Sequence, residues 1–96
     1  MLTHVVLFKF KADTTEDKIQ QLVTGLGELP GIIDEIREFR FGRDVVKSER
    51  SYDLGLVSSF DDREALQRYQ VHPDHQKVVA HVKTIASSVV AVDFED

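Results

Sequence analysis

"LTHVVLFKFK", Leu2 to Lys11, decides the fold of this 96-residue chain. Its richness in β-branched and aromatic residues favours a pleated strand over a helix. Strand side chains alternate between faces, so His4, Val6, Phe8 and Phe10 share one face and Val5, Leu7, Lys9 and Lys11 the other. Both faces are apolar in the middle. A strand covered on one side only alternates cleanly between apolar and polar residues. This one does not, so its pattern predicts cover on both sides of its sheet.

The flanking sequence supplies the partners. Thr14 or Thr15 followed by Glu16 and Asp17 marks a helix start, with a hydroxyl cap and carboxylates at the positive end of the dipole. Ile19, Leu22, Val23, Leu26 and Leu29 fall on one helical stripe, and Pro30-Gly31 is expected to end it. "IDEIREFRFGRD" reads as a second strand with Phe39 and Phe41 on one face, and residues 42–50 as a polar loop. "SYDLGLVSSF" reads as a third strand with Tyr52, Leu54, Leu56, Ser58 and Phe60 on one face. Asp61 or Asp62 caps a helix over "REALQRYQVH", Pro73 suits the first turn of another, and "SSVVAVDFE" closes the chain as a strand.

The order β-α-β-β-α-β, with the second helical region broken at Pro73, is the split βαβ, ferredoxin-like pattern. It implies one α+β domain over residues 1–96, an antiparallel four-stranded sheet with helices on one face. The first strand's other apolar face, either Val5 and Leu7 or Val6, Phe8 and Phe10, then lacks cover. Each Val, Leu or Phe left wet forfeits about 1.5–3 kcal/mol, a large share of a small domain's stability. The expected cover is the sheet of a second copy, making a homodimeric α/β barrel.

Composition narrows the partners. The net charge of −5 argues against nucleic acid, which needs a basic surface. No stretch has the length of a membrane span. The lysines near the N-terminus follow the apolar run, the reverse of a secretory signal. There are no cysteines, which excludes disulfides and thiolate chemistry and fits a cytoplasmic setting.

Chemistry concentrates in "RYQVHPDHQ", residues 68–76. Neutral imidazole accepts protons near neutrality, and a tyrosine hydroxyl can hydrogen-bond a carbonyl oxygen as enolate charge develops. Tyr69 and His75 could therefore act together in proton transfer. The competing reading is structural: His72 bonding local backbone before Pro73, and Tyr69 and His75 packing against the sheet. For a metal, His72 and His75 would need a continuous helix, which Pro73 interrupts, and a third ligand from Asp74, His81 or His4. The expectation is no metal and no cofactor.

"HVVLFKFK", "FGRDV", "YDLGLVSSFDDREALQRYQVHPDHQKVV" and the closing "VDFE" together resemble the stress-responsive dimeric α/β-barrel proteins over essentially the whole chain. The resemblance implies a ferredoxin-like protomer and a homodimer with facing sheets. The family includes a plant polyketide cyclase that closes an aromatic ring by aldol condensation. Its essential tyrosine and histidine lie in a matching Y-x-x-H-P-x-H stretch, which implies Tyr69 and His75 here. A pocket histidine of its first strand is matched by His4. A further pocket histidine of its third strand is replaced by Leu54.

These readings combine into one expectation. Each protomer carries a small apolar pocket between sheet and helices, with His75 as base and Tyr69 as hydrogen-bond donor. His4 lines the pocket, and Phe8, Phe10, Leu22, Leu26 and Leu54 form apolar walls. The ligand is a small apolar or aromatic carbonyl compound. One alternative is a non-enzymatic, stress-linked homodimer or small-ligand-binding protein. Another is a cofactor-independent monooxygenase-like enzyme.

Overall fold

A computed structural model describes residues 1–96. The opening run forms β1 (Leu2–Phe10), and the rest follows as α1 (Glu16–Ile32), β2 (Glu38–Arg43), β3 (Leu54–Phe60), α2 (Arg63–Val71), α3 (Pro73–Ile85) and β4 (Ala86–Glu95). The strands lie in the order β2-β3-β1-β4, and every neighbouring pair is antiparallel. This is the ferredoxin-like arrangement, with three helices in place of two.

Burial decides which face of β1 meets the helices. Leu2, His4, Val6 and Phe8 are buried, whereas Leu7 and Lys9 are exposed. The inward row continues through Leu54, Leu56, Ser58 and Phe60 of β3, and the helices add Leu22, Leu26, Leu29, Leu66, Tyr69, Val82 and Ile85 to the same core. The opposite face carries Val5 and Leu7 of β1, Val57 of β3, and Val90, Val92 and Phe94 of β4. Five of these side chains are 38–57% exposed. The single chain therefore leaves the apolar face open that its opening strand predicted.

Local chemistry explains the element ends. The Thr15 hydroxyl accepts from the Lys18 amide at 3.4 Å, and Asp62 accepts from the Ala65 amide at 2.8 Å; both are N-caps that satisfy orphan amides. Pro30 does not end α1, which runs two residues further. Its missing N–H costs one bond near the helix end, while Leu29 and Ile33, which the last turn presents to the core, are almost fully buried. β3 begins at Leu54 rather than at Ser51, so Tyr52 is not part of the inward row. Its hydroxyl instead lies 3.0 Å from the Ser88 hydroxyl. Asp53 receives the Phe10 amide on its carboxylate at 2.7 Å, where the β1–β4 register shifts between Lys9 and Phe10. The carboxylate satisfies a β1 amide that faces β3 just beyond the last paired residues, Phe8 and Leu54.

Candidate active site

Between the inward face of the sheet and α3 lies a cavity of about 370 Å³, within the range of small-ligand sites. Val6, Phe8, Leu26 and Leu56 form its apolar floor. Val78, Val79, Val82 and Lys83 line it from α3. They stand three, four, seven and eight residues after His75, which places all five on one helical face.

Tyr69 sits in the last turns of α2 and is almost completely buried. Its ring packs on Phe60 with centroids 4.9 Å apart and on His75 at 4.3 Å, and lies 6.4 Å from the His4 ring. The Tyr69–His75 contact follows from the break at Pro73. α2 stops at Val71, His72 turns the chain in extended conformation, and α3 restarts with Pro73 in its first turn. The His72 Nδ1 accepts from the Asp74 amide at 3.1 Å and so caps α3. His75 is thereby turned back over the end of α2, where its Nδ1 donates to the Gln70 carbonyl at 3.1 Å.

That bond sets the tautomer. A carbonyl only accepts, so Nδ1 carries the proton and Nε2 of the neutral ring keeps its lone pair. His4 is likewise fixed in orientation: its Nδ1 donates to the Asp93 carboxylate, and Nε2 has no partner in the protein. The pair exists because the β1–β4 ladder sets His4 directly opposite Asp93. On the other side, the Ser58 hydroxyl donates to the His4 carbonyl at 3.2 Å and ties that position to β3.

Neither the Tyr69 hydroxyl, His75 Nε2 nor His4 Nε2 has a hydrogen-bond partner in the protein. No sealed side-chain nitrogen or oxygen in the chain lacks a partner, so these three reach open space. The space their residues share is the cavity. Burial raises the Tyr69 pKa well above its ordinary value, which keeps the phenol a donor. Burial also lowers the His75 pKa below 6.5; nearby His4 and His72 add to the shift, and the bond to the Gln70 carbonyl opposes it.

The lowered value has a signed consequence. The unfolded chain takes up the His75 proton first as pH falls. Stability from this site is therefore present above about pH 6.5 and is lost as pH drops from there toward the folded value. An NMR titration of the His75 ring should give a midpoint below 6.5, and a higher midpoint would remove the neutral-base assignment.

The expected walls divide. Phe8 and Leu26 line the cavity; Phe10, Leu22 and Leu54 do not. Leu22 and Leu54 are packed shut in the core, each 1% exposed. Phe10 lies beyond the bulge, half-buried, beside a separate surface recess. The histidines disperse as well. His81 bonds the Lys18 carbonyl at 2.9 Å and ties α3 to α1, and no group of three His, Asp or Glu side chains converges as a metal site would require. Asp93 joins the site through its bond to His4.

A ferredoxin-like protomer with a histidine- and tyrosine-bearing cavity under its helices, and an open apolar sheet face behind, defines a class of small α/β-barrel protomers. Residues 2–96 match the Dabb family, the stress responsive A/B barrel domain, and the chain belongs to that family. It is similar to a dimeric ferredoxin-like protein of unknown function from Thermobifida fusca, with a TM-score of 0.90 and 32% identity over 99% of this chain and 90% of that one. An uncharacterised Streptomyces coelicolor protein is 34% identical over 99% of both chains. The olivetolic acid cyclase of Cannabis sativa is 28% identical over 75% of this chain and 73% of its own. No helix is long and apolar enough to cross a membrane.

Proposed function

We propose that the chain is a homodimer, closed through the open faces of two sheets, whose cavities carry out proton transfer on a small apolar carbonyl compound. The observation that carries the chemistry is the trio of unpartnered polar atoms, Tyr69 hydroxyl, His75 Nε2 and His4 Nε2, at one apolar cavity. In this reading His75 Nε2 removes a proton from the carbon next to a carbonyl. The electron pair moves onto the carbonyl oxygen, and the Tyr69 hydroxyl hydrogen-bonds that oxygen as its charge grows. The enolate is then reprotonated or attacks a second carbonyl, as in an aldol condensation. His4, oriented by Asp93, offers a second proton-accepting site. The likeness to a cyclase supports this chemistry, and the description of the Thermobifida fusca protein as dimeric supports the assembly. The absence of cysteine is consistent with a cytoplasmic setting.

Deuterium uptake by 4-phenylbutan-2-one in heavy water, followed by NMR, tests the reaction class without the natural substrate. The chain should accelerate exchange beside the carbonyl. His75→Ala should lose about 100-fold of that acceleration or more, and Tyr69→Phe about 10- to 100-fold. Exchange retained by both variants would assign the residues a packing role.

A further inference from the structure

The cavity has a direction. His4, Tyr69, Phe8 and Leu56 at its base are each at least 92% buried, whereas Lys83, Val89 and Ala91 on its lining are exposed. The mouth therefore opens between the second half of α3 and the edge strand β4. It lies on the helix side of the sheet and stays clear of the open apolar face.

One charged group stands at this mouth. Lys83 lines an otherwise mostly apolar cavity, and no carboxylate lies within 4.0 Å of its ammonium, although Lys77 of the same helix reaches Asp74 at that distance. A helical side chain leans back over the turn before its own Cα, which sends the Lys83 stem toward Val79 and the cavity rather than past the helix end. An unpaired ammonium over an apolar opening attracts an anion, because the flanking apolar walls weaken the competition from water.

We propose that the ligand is amphipathic and anionic: an apolar body in the cavity, its reacting end at Tyr69 and His75, and a carboxylate or comparable anion at Lys83. The eight residues from His75 to Lys83 span roughly 12 Å of helix, which sets the length of ligand that can touch both ends. This inference rests on the cavity being a ligand site, and the test separates the two ideas.

Binding of nonanoate and of nonan-1-ol, which share a chain and differ in charge, is measured by calorimetry on the wild-type chain and on Lys83→Met. Methionine keeps an unbranched apolar stem and removes the charge. Ring resonances of Tyr69 and His75 report whether each probe occupies the cavity. The expected result is that both probes bind and shift those resonances, and that Lys83→Met weakens nonanoate about fivefold while nonan-1-ol stays within about twofold. Equal weakening of both probes would show that Lys83 acts through its stem alone, and no weakening would show that it does not act; either overturns the anion site and leaves the cavity standing. Failure of both probes to bind wild type would overturn the cavity reading and this inference with it.

Discussion

A Val92→Asp chain should sediment as a folded monomer at concentrations where the wild-type chain is expected to sediment as the proposed dimer. Val92 lies on β4 directly opposite Val5 of β1, within the open face, and is 57% exposed on the single chain. An aspartate there meets water in the isolated protomer and costs that protomer little. In a two-fold dimer the substitution appears twice, and each carboxylate would be pressed into an apolar interface without a partner. Desolvating an unpaired charge costs several kcal/mol, so the dimer should weaken by at least about 100-fold, equivalent to ~2.7 kcal/mol. Val45→Asp is the control, because Val45 is 87% exposed on the loop between β2 and β3, outside the strands that form this face. Sedimentation velocity separates the outcomes. If Val92→Asp remains dimeric, the association surface lies elsewhere and the facing-sheet barrel is wrong for this chain.

That prediction rests on a feature legible in ten residues. The doubled apolar pattern of Leu2–Lys11 called for cover on both faces, because strand alternation is a local geometric rule. The same rule could not say which face meets the helices; burial of Val6 and Phe8 and exposure of Leu7 resolve it. Element order was equally legible, since caps and stripes at Thr15, Asp62 and Pro73 depend on near neighbours. Pro30 misled because helix termination there depends on a non-local term, the burial of Leu29 and Ile33. The site was harder still. Tyr69 and His75 share one short stretch, but the cavity between them depends on how far each α1 and β3 residue sits from the His4 row. Leu26 and Leu56 reach it, while Leu22 and Leu54 do not. Asp93 becomes visible only after β4 is paired with β1 in register, 89 residues away in sequence from His4. The α3 wall could have been read earlier, because Val78, Val79, Val82 and Lys83 follow His75 at helical spacing.

Two substitutions at Tyr69 should have opposite consequences, and the contrast tests whether its hydroxyl is functional. Tyr69→Ala removes a ring that is 1% exposed and packs against Phe60 and His75. Truncating a buried aromatic side chain costs about 3–5 kcal/mol, and here the void would merge with an existing cavity that gives the neighbours little reason to collapse. Urea denaturation should show that loss as a much lower midpoint at similar cooperativity. Tyr69→Phe keeps the ring and removes only the oxygen. Losing a buried hydrogen bond typically costs about 0.5–1.5 kcal/mol, but this hydroxyl has no protein partner to lose, so the change in stability should stay within about 0.5 kcal/mol. A side chain whose ring is structural and whose oxygen is not leaves that oxygen available to whatever enters the cavity. Loss of carbonyl-linked proton exchange in a Tyr69→Phe chain of unaltered stability would then locate the function in the hydroxyl itself. A destabilisation of more than about 1 kcal/mol by the same change would mean the oxygen is already bonded within the protein, and Tyr69 could not be the donor.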